Sequence, residues 1–108
     1  MTSYREHFDI IADILHIAGR SAKKTWIMYQ ANLSYSVVQR YLSELLTASL
    51  ISFDAQSKSY MLTNKGQEFL NAYEEYSATR QLIEQKFTEV AEKRKVLKQF
   101  CCGSQTNF

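Results

Sequence analysis

With 108 residues, the chain has room for one compact domain and a short appendage. A composition of 45% hydrophobic, 22% charged and 13% aromatic residues excludes a disordered chain, and the lack of proline leaves helices little to interrupt them. A net charge of +2 is too small to announce a polyanionic partner, and two adjacent cysteines, Cys101 and Cys102, exclude a disulfide framework.

The first predicted element is a helix over about Ser3 to Ala18. Phe8, Ile11, Leu15 and Ala18 follow helical spacing, and Ile10, Ile14 and Ile17 repeat it one position over, so this helix is expected to be buried on more than one side. Gly19 stands where a left-handed C-terminal cap is expected. The apolar run from Ile10 to Ala18 is broken by Asp13 and His16 and is too short to cross a membrane. It also lacks the basic start and cleavage site of a signal peptide, which predicts a cytoplasmic chain.

A short second helix is predicted over Lys23 to Gln30, with Ser21 as its N-cap and Ile27 and Met28 turned inward. Asn32, Leu33 and Ser34 read as a turn. Ser34 is the expected N-cap of a third helix over Tyr35 to Ala48, with Leu33 and Val38 placed as a hydrophobic staple. Val38, Tyr41, Leu42, Leu45 and Leu46 form its apolar stripe, and Ser36, Gln39, Arg40 and Ser43 lie opposite. The period then changes. Leu50 to Phe53 and Ser59 to Leu62 are predicted strands joined by the polar loop Asp54 to Lys58.

From Thr63 or Asn64 a last helix is predicted to run to about Phe100. Phe69, Tyr73, Tyr76, Arg80, Ile83, Phe87, Val90, Arg94 and Leu97 alternate spacings of four and three, which is the seam of a coiled coil. Residues 67–100 would extend about 50 Å at 1.5 Å per residue, further than a small domain can cover, so the apolar seam calls for a partner. A parallel in-register pair would oppose Arg80 to Arg80 and Arg94 to Arg94, whereas an antiparallel pair separates these like charges. The alternative is a helix folded back at Ser77 to Thr79. The expected division is a domain over 1–66, a dimerisation helix over 67–100 and a flexible tail over 101–108.

Helix, helix, turn, helix, hairpin, helix is the order of a winged helix-turn-helix, a mainly α, α+β arrangement with a two-stranded wing. Its third helix fits a DNA major groove about 12 Å wide. Between Ile14 and Ser43 the chain carries Arg20, Lys23, Lys24 and Arg40 and no Asp or Glu. That window is either the electrostatic footprint of a polyanion or a solvated face of ordinary composition. On the first reading, Gln39 and Arg40 meet base edges. Tyr35, Ser36 and Ser43 donate to phosphates, and Arg20, Lys23, Lys24 and Lys58 contact the backbone. The alternative function is a winged-helix protein-interaction module that binds no DNA.

The runs Ile27 to Tyr35, Arg40-Tyr41-Leu42 and Tyr60 to Gly66 resemble, in the same order, the archaeal ten-kilodalton winged-helix DNA-binding proteins and related predicted archaeal transcription regulators. The resemblance covers roughly Asp9 to Leu70. It implies a winged domain followed by a long helix that pairs as an antiparallel coiled coil in a homodimer. It also implies binding of double-stranded DNA with modest sequence preference, in transcription control or chromatin organisation at the nucleoid. Contact residues carry over only to Ser34, Tyr35 and Arg40, and the cysteine pair falls outside the shared pattern. No Ser-His-Asp set, paired carboxylates or glycine-rich phosphate loop is visible, so no enzymatic activity, cofactor or small-molecule substrate is expected. His7 and His16 stand nine apart with no cysteine or third histidine nearby, so no metal site is expected.

Overall fold

The computed structural model describes residues 5–102. Six elements succeed one another: α1 (His7–Ala18), α2 (Lys24–Gln30), α3 (Tyr35–Thr47), β1 (Ile51–Asp54), β2 (Ser59–Leu62) and α4 (Asn64–Cys102). The chain divides into two compact units, with the division between Glu74 and Glu75.

Helix α1 begins at His7, later than expected, because Glu6 and Asp9 cap it reciprocally. The Glu6 amide donates to Asp9 Oδ2 at 2.9 Å, and the Asp9 amide donates back to the Glu6 side chain. Arg5 precedes the helix and crosses to the end of α2. Its guanidinium donates to Asp13 Oδ2 and to the Ala31 carbonyl, each at 2.9 Å. Ser3 lies outside the described residues.

The left-handed residue after α1 is Ser21, at φ 65°, while Gly19 stays right-handed at φ −58°. Ser21 therefore turns the chain and does not cap α2; Lys23 holds the N-cap position without a side-chain bond. The reason is Ala22, whose amide and carbonyl pair with Tyr60 at 3.0 and 2.7 Å. An extended residue bonded to β2 must fit between the turn and the helix, which displaces the helix start.

Helices α2 and α3 end in the same way. Asn32 (φ 58°) comes after α2 and Ser49 (φ 66°) after α3, both left-handed. The Leu33 amide reaches the Met28 carbonyl at 3.0 Å, and the Leu50 amide reaches the Leu45 carbonyl at 2.9 Å. These are Schellman closures made without glycine. The second consumes Leu50, so β1 starts at Ile51, one residue later than expected. β1 and β2 pair antiparallel with Phe53 opposite Tyr60, and the two rings lie 4.9 Å apart. In place of a glycine, Lys58 takes the left-handed position of the wing loop at φ 54°. Asp54 anchors that loop, accepting from the Gln56 amide at 3.2 Å and the Ser57 hydroxyl at 2.7 Å. These bonds, the Ser57 hydroxyl foremost, hold its carboxyl below the usual carboxylate range.

The core of the first unit is built from Ile14, Leu15, Ile27, Val38 and Leu45, all fully buried, with Leu42, Ile51 and Leu70 around them. Met28 and Leu33 pack at its edge, half-buried. Leu46 lies at the margin of the α3 stripe and is exposed, contrary to expectation. Phe69 and Tyr73 pack against this core as well. Phe69 stacks obliquely on Phe8 at 6.4 Å, and the Tyr73 hydroxyl donates to Asp9. The start of α4 thus belongs to the winged domain, and the expected boundary after Gly66 shifts to Glu74.

In the second unit, α4 continues to Cys102. Cys101 and Cys102 are helical, so α4 takes in the first two residues of the stretch expected to be a tail. No helix among the described residues is long and apolar enough to cross a membrane.

Candidate nucleic-acid interface

Helix α3 owes its orientation to its two faces. Val38, Tyr41, Leu42 and Leu45 are buried at helical spacing, which forces Ser36, Gln39, Arg40 and Ser43 outward. These four residues are exposed and line one shallow, open depression together with Glu44, Thr47 and Ala48. Ser34 caps the helix, its hydroxyl oxygen accepting from the Val37 amide at 3.4 Å, which leaves the hydroxyl's own proton to donate elsewhere.

Lys24, at the first turn of α2, binds this surface from the side. Its ammonium donates to Gln39 Oε1 at 2.5 Å and to the Tyr35 hydroxyl at 3.4 Å. It also lies 4.9 Å from the centroid of the Tyr35 ring, a cation–π contact. Tyr35 remains 60% exposed and stands in this surface. Arg40 extends beside Tyr41, its guanidinium carbon 5.7 Å from the ring centroid. Tyr41 is itself buried, and its hydroxyl shares a 3.0 Å hydrogen bond with His7 Nδ1.

The structure thus joins Lys24, Tyr35 and Gln39 in one cluster and sets Ser36, Arg40 and Ser43 along the same face. Arg20 and Lys23 are exposed in the α1–α2 connection, and Lys58 is exposed in the wing loop. Two exposed aromatics of α2, Trp26 and Tyr29, went unremarked in the sequence. Their signal was available, since they flank the inward pair Ile27 and Met28. Glu44 places a carboxylate at the far end of the depression, where the acid-free window stops. Among the described residues, no group of three His, Cys, Asp or Glu is arranged to hold a metal ion.

Beyond Glu74, the seam side chains Ile83, Phe87, Val90 and Leu97 are exposed, Phe87 to 73% and Leu97 to 64%. Arg80 is half-buried and stacks on Tyr76, 5.3 Å from its ring centroid. Leu82, Val96 and Phe100 are exposed too and widen the apolar surface beyond the nine positions expected. Cys101 continues the four-and-three spacing after Leu97 and shares a shallow groove with Arg94, Leu97 and Lys98. Glu89 bridges Lys86 at 3.1 Å and Lys93 at 3.9 Å on an adjacent strip of the helix.

Among solved structures, the chain is similar to Sso10a-2, a DNA-binding protein from Sulfolobus solfataricus, at 26% identity and a TM-score of 0.75, over 82% of this chain and 95% of that one. That likeness agrees with the archaeal resemblance seen in the sequence. ZitR from Lactococcus lactis matches at 20% identity and a TM-score of 0.52, over 94% of this chain and 73% of that one. A mutant of ZitR matches at 16% identity and a TM-score of 0.50, over 94% and 77%. Both ZitR matches show a shared fold. No curated protein matches the chain. The family model described as winged helix-turn-helix matches residues 4–81, across the helices, the wing and the start of the long helix, and the chain belongs to that family.

Proposed function

We propose that this protein is a homodimeric regulator or chromatin-organising protein that binds double-stranded DNA, with α3 in the major groove and the wing on the backbone. One observation carries the reading: the outer face of α3 is open, is lined by Ser36, Gln39, Arg40 and Ser43, and lies beside Lys24 in a stretch free of acids from Ile14 to Ser43. Family membership and the similarity to a DNA-binding protein from Sulfolobus solfataricus support it. On this reading Arg40 and Gln39 reach base edges. Ser36, Ser43, Arg20, Lys23 and Lys58 contact phosphates, while Tyr35 and Lys24 form the shoulder of the site.

Two copies pair through Tyr76, Arg80, Ile83, Phe87, Val90, Arg94 and Leu97, antiparallel so that the arginines do not face their own copies. Phe69 and Tyr73 leave the expected pairing set because they serve the winged domain. Such a protein is expected in the cytoplasm, at the nucleoid, and acts without a cofactor.

A titration of duplex DNA at several salt concentrations tests the reading. Affinity is expected to fall steeply with salt, as release of condensed counterions requires. Arg40→Glu removes a positive charge and adds a negative one at the groove face, and is expected to weaken binding by about tenfold or more. Salt-insensitive binding, or an Arg40→Glu variant of unchanged affinity, overturns it.

A further inference from the structure

The contact between Lys24 and Gln39 does more than add charge to α3. An ammonium carries three donors and no acceptor. The Gln39 amide can therefore meet Lys24 Nζ only through its oxygen, and the 2.5 Å contact sets the rotation of the amide. Nε2, with both its N–H donors, is turned away from Lys24. Tyr35, one turn before Gln39 on α3, also holds the ammonium, with its hydroxyl at 3.4 Å and its ring centroid at 4.9 Å. Next to Gln39 stands Arg40, whose guanidinium is donor-only.

We propose that Lys24 is a specificity-determining residue: by occupying Gln39 Oε1 it converts the purine-reading edge of α3 into a donor edge that selects guanine over adenine. The proposal rests on the DNA-binding reading above. An unrestrained glutamine reads adenine with both ends of its amide, the oxygen accepting from N6 and the nitrogen donating to N7. The amide oxygen keeps a second lone pair, but the lysine head sits beside it, so adenine's amino group would approach a cationic donor with a donor of its own. Guanine presents two acceptors, N7 and O6, in the same groove. Both match the free N–H groups of Gln39 and the guanidinium of Arg40. Tyr35 is a positioning residue in this scheme, since it acts on the base only through Lys24.

The test is a binding titration of the full chain on a guanine-rich duplex, its counterpart with those guanines replaced by adenines, and a third duplex carrying 7-deazaguanine, which lacks the N7 acceptor. The wild-type protein is expected to prefer the guanine duplex about tenfold, and to lose much of that preference on 7-deazaguanine. Lys24→Met keeps the aliphatic stem without the ammonium and is expected to shift the guanine-to-adenine ratio several-fold toward adenine. In a Gln39→Ala background the same substitution is expected to leave the ratio unchanged, because its effect passes through the amide. Circular dichroism melting confirms that each variant is folded. Salt-steep binding without a guanine preference overturns the proposal alone, and so does a ratio that Lys24→Met leaves unmoved or still shifts in the Gln39→Ala background. Failure of the wild-type chain to bind any of the duplexes overturns the DNA-binding reading together with it.

Discussion

Gly66 sits where α4 passes over the end of α3, and there is no room there for a side chain. A Cβ on it would lie 2.2 Å from the Leu50 carbonyl oxygen and 2.5 Å from Leu62 Cδ1. The same spot is tied by hydrogen bonds: the Gly66 amide donates to Thr63 Oγ1 at 3.0 Å, and that hydroxyl donates to the Ser49 carbonyl at 2.7 Å. Backbone cannot yield as a flexible side chain does, so Gly66→Ala is expected to cost about 1–3 kcal/mol, within the range for overpacking a filled site. A thermal melt reads the loss directly, and a variant melting at the wild-type temperature would show that α4 can lift without cost. The close approach that demands glycine at 66 was not legible, because it is made by Leu50 and Leu62 of other segments. Gly19, predicted to turn left-handed, does not, and the left-handed positions fall to Ser21, Asn32, Ser49 and Lys58. Asn32 and Ser49 close their own helices, whereas Ser21 answers to the bonding of Ala22 to Tyr60 in another segment, which has no local signature.

Among the elements, α3 was the most legible, because one local rule sets both of its faces. Val38, Tyr41, Leu42 and Leu45 recur at helical spacing, and burying them decides which side chains face outward. Its start was legible for the same local reason, a serine placed to accept from an amide three residues on. Ser34→Ala is expected to destabilise the protein by about 1 kcal/mol, while Ser34→Gly costs only a few tenths. Chemical denaturation of the two variants checks this, and a Ser34→Ala variant as stable as the wild-type chain would mean that the serine contributes no hydrogen bond. The strand boundaries were less legible, since the Schellman closure of α3 takes Leu50 from β1. Least legible was the cluster at the candidate site. Lys24 and Gln39 are 15 residues apart on different helices, and only the packing of α2 against α3 brings them together. The sequence supplied the residue types of the site, and the fold decided which of their hydrogen-bonding atoms remain free.

At the scale of the whole molecule, α4 serves two ends with a single spacing pattern. The four-and-three repeat runs unbroken from Phe69 to Leu97, and periodicity alone cannot tell which positions belong to the protein's own core. Contacts can: Phe69, Leu70 and Tyr73 pack on the winged domain, whereas Ile83, Phe87, Val90 and Leu97 stay exposed. Full burial of a side chain of this size contributes roughly 1.5–3 kcal/mol, so four of them in each copy outweigh a moderate cost of association. Phe87 lies midway along the exposed stretch. Phe87→Glu would bury a carboxylate in the seam, where two copies bring two like charges into an apolar interface. Light scattering coupled to size exclusion is expected to show a dimer for the wild-type chain and a monomer for this variant. Each winged domain keeps its own core, which is built without Phe87, so the variant is expected to retain a cooperative unfolding transition. If two domains on one dimer engage the same DNA, the monomer also loses the effective concentration that linkage provides, and its apparent affinity is expected to fall by more than about tenfold. A variant that stays dimeric would locate the pairing surface away from Phe87. A monomer that binds DNA as tightly as the dimer would instead mean that the two winged domains act independently.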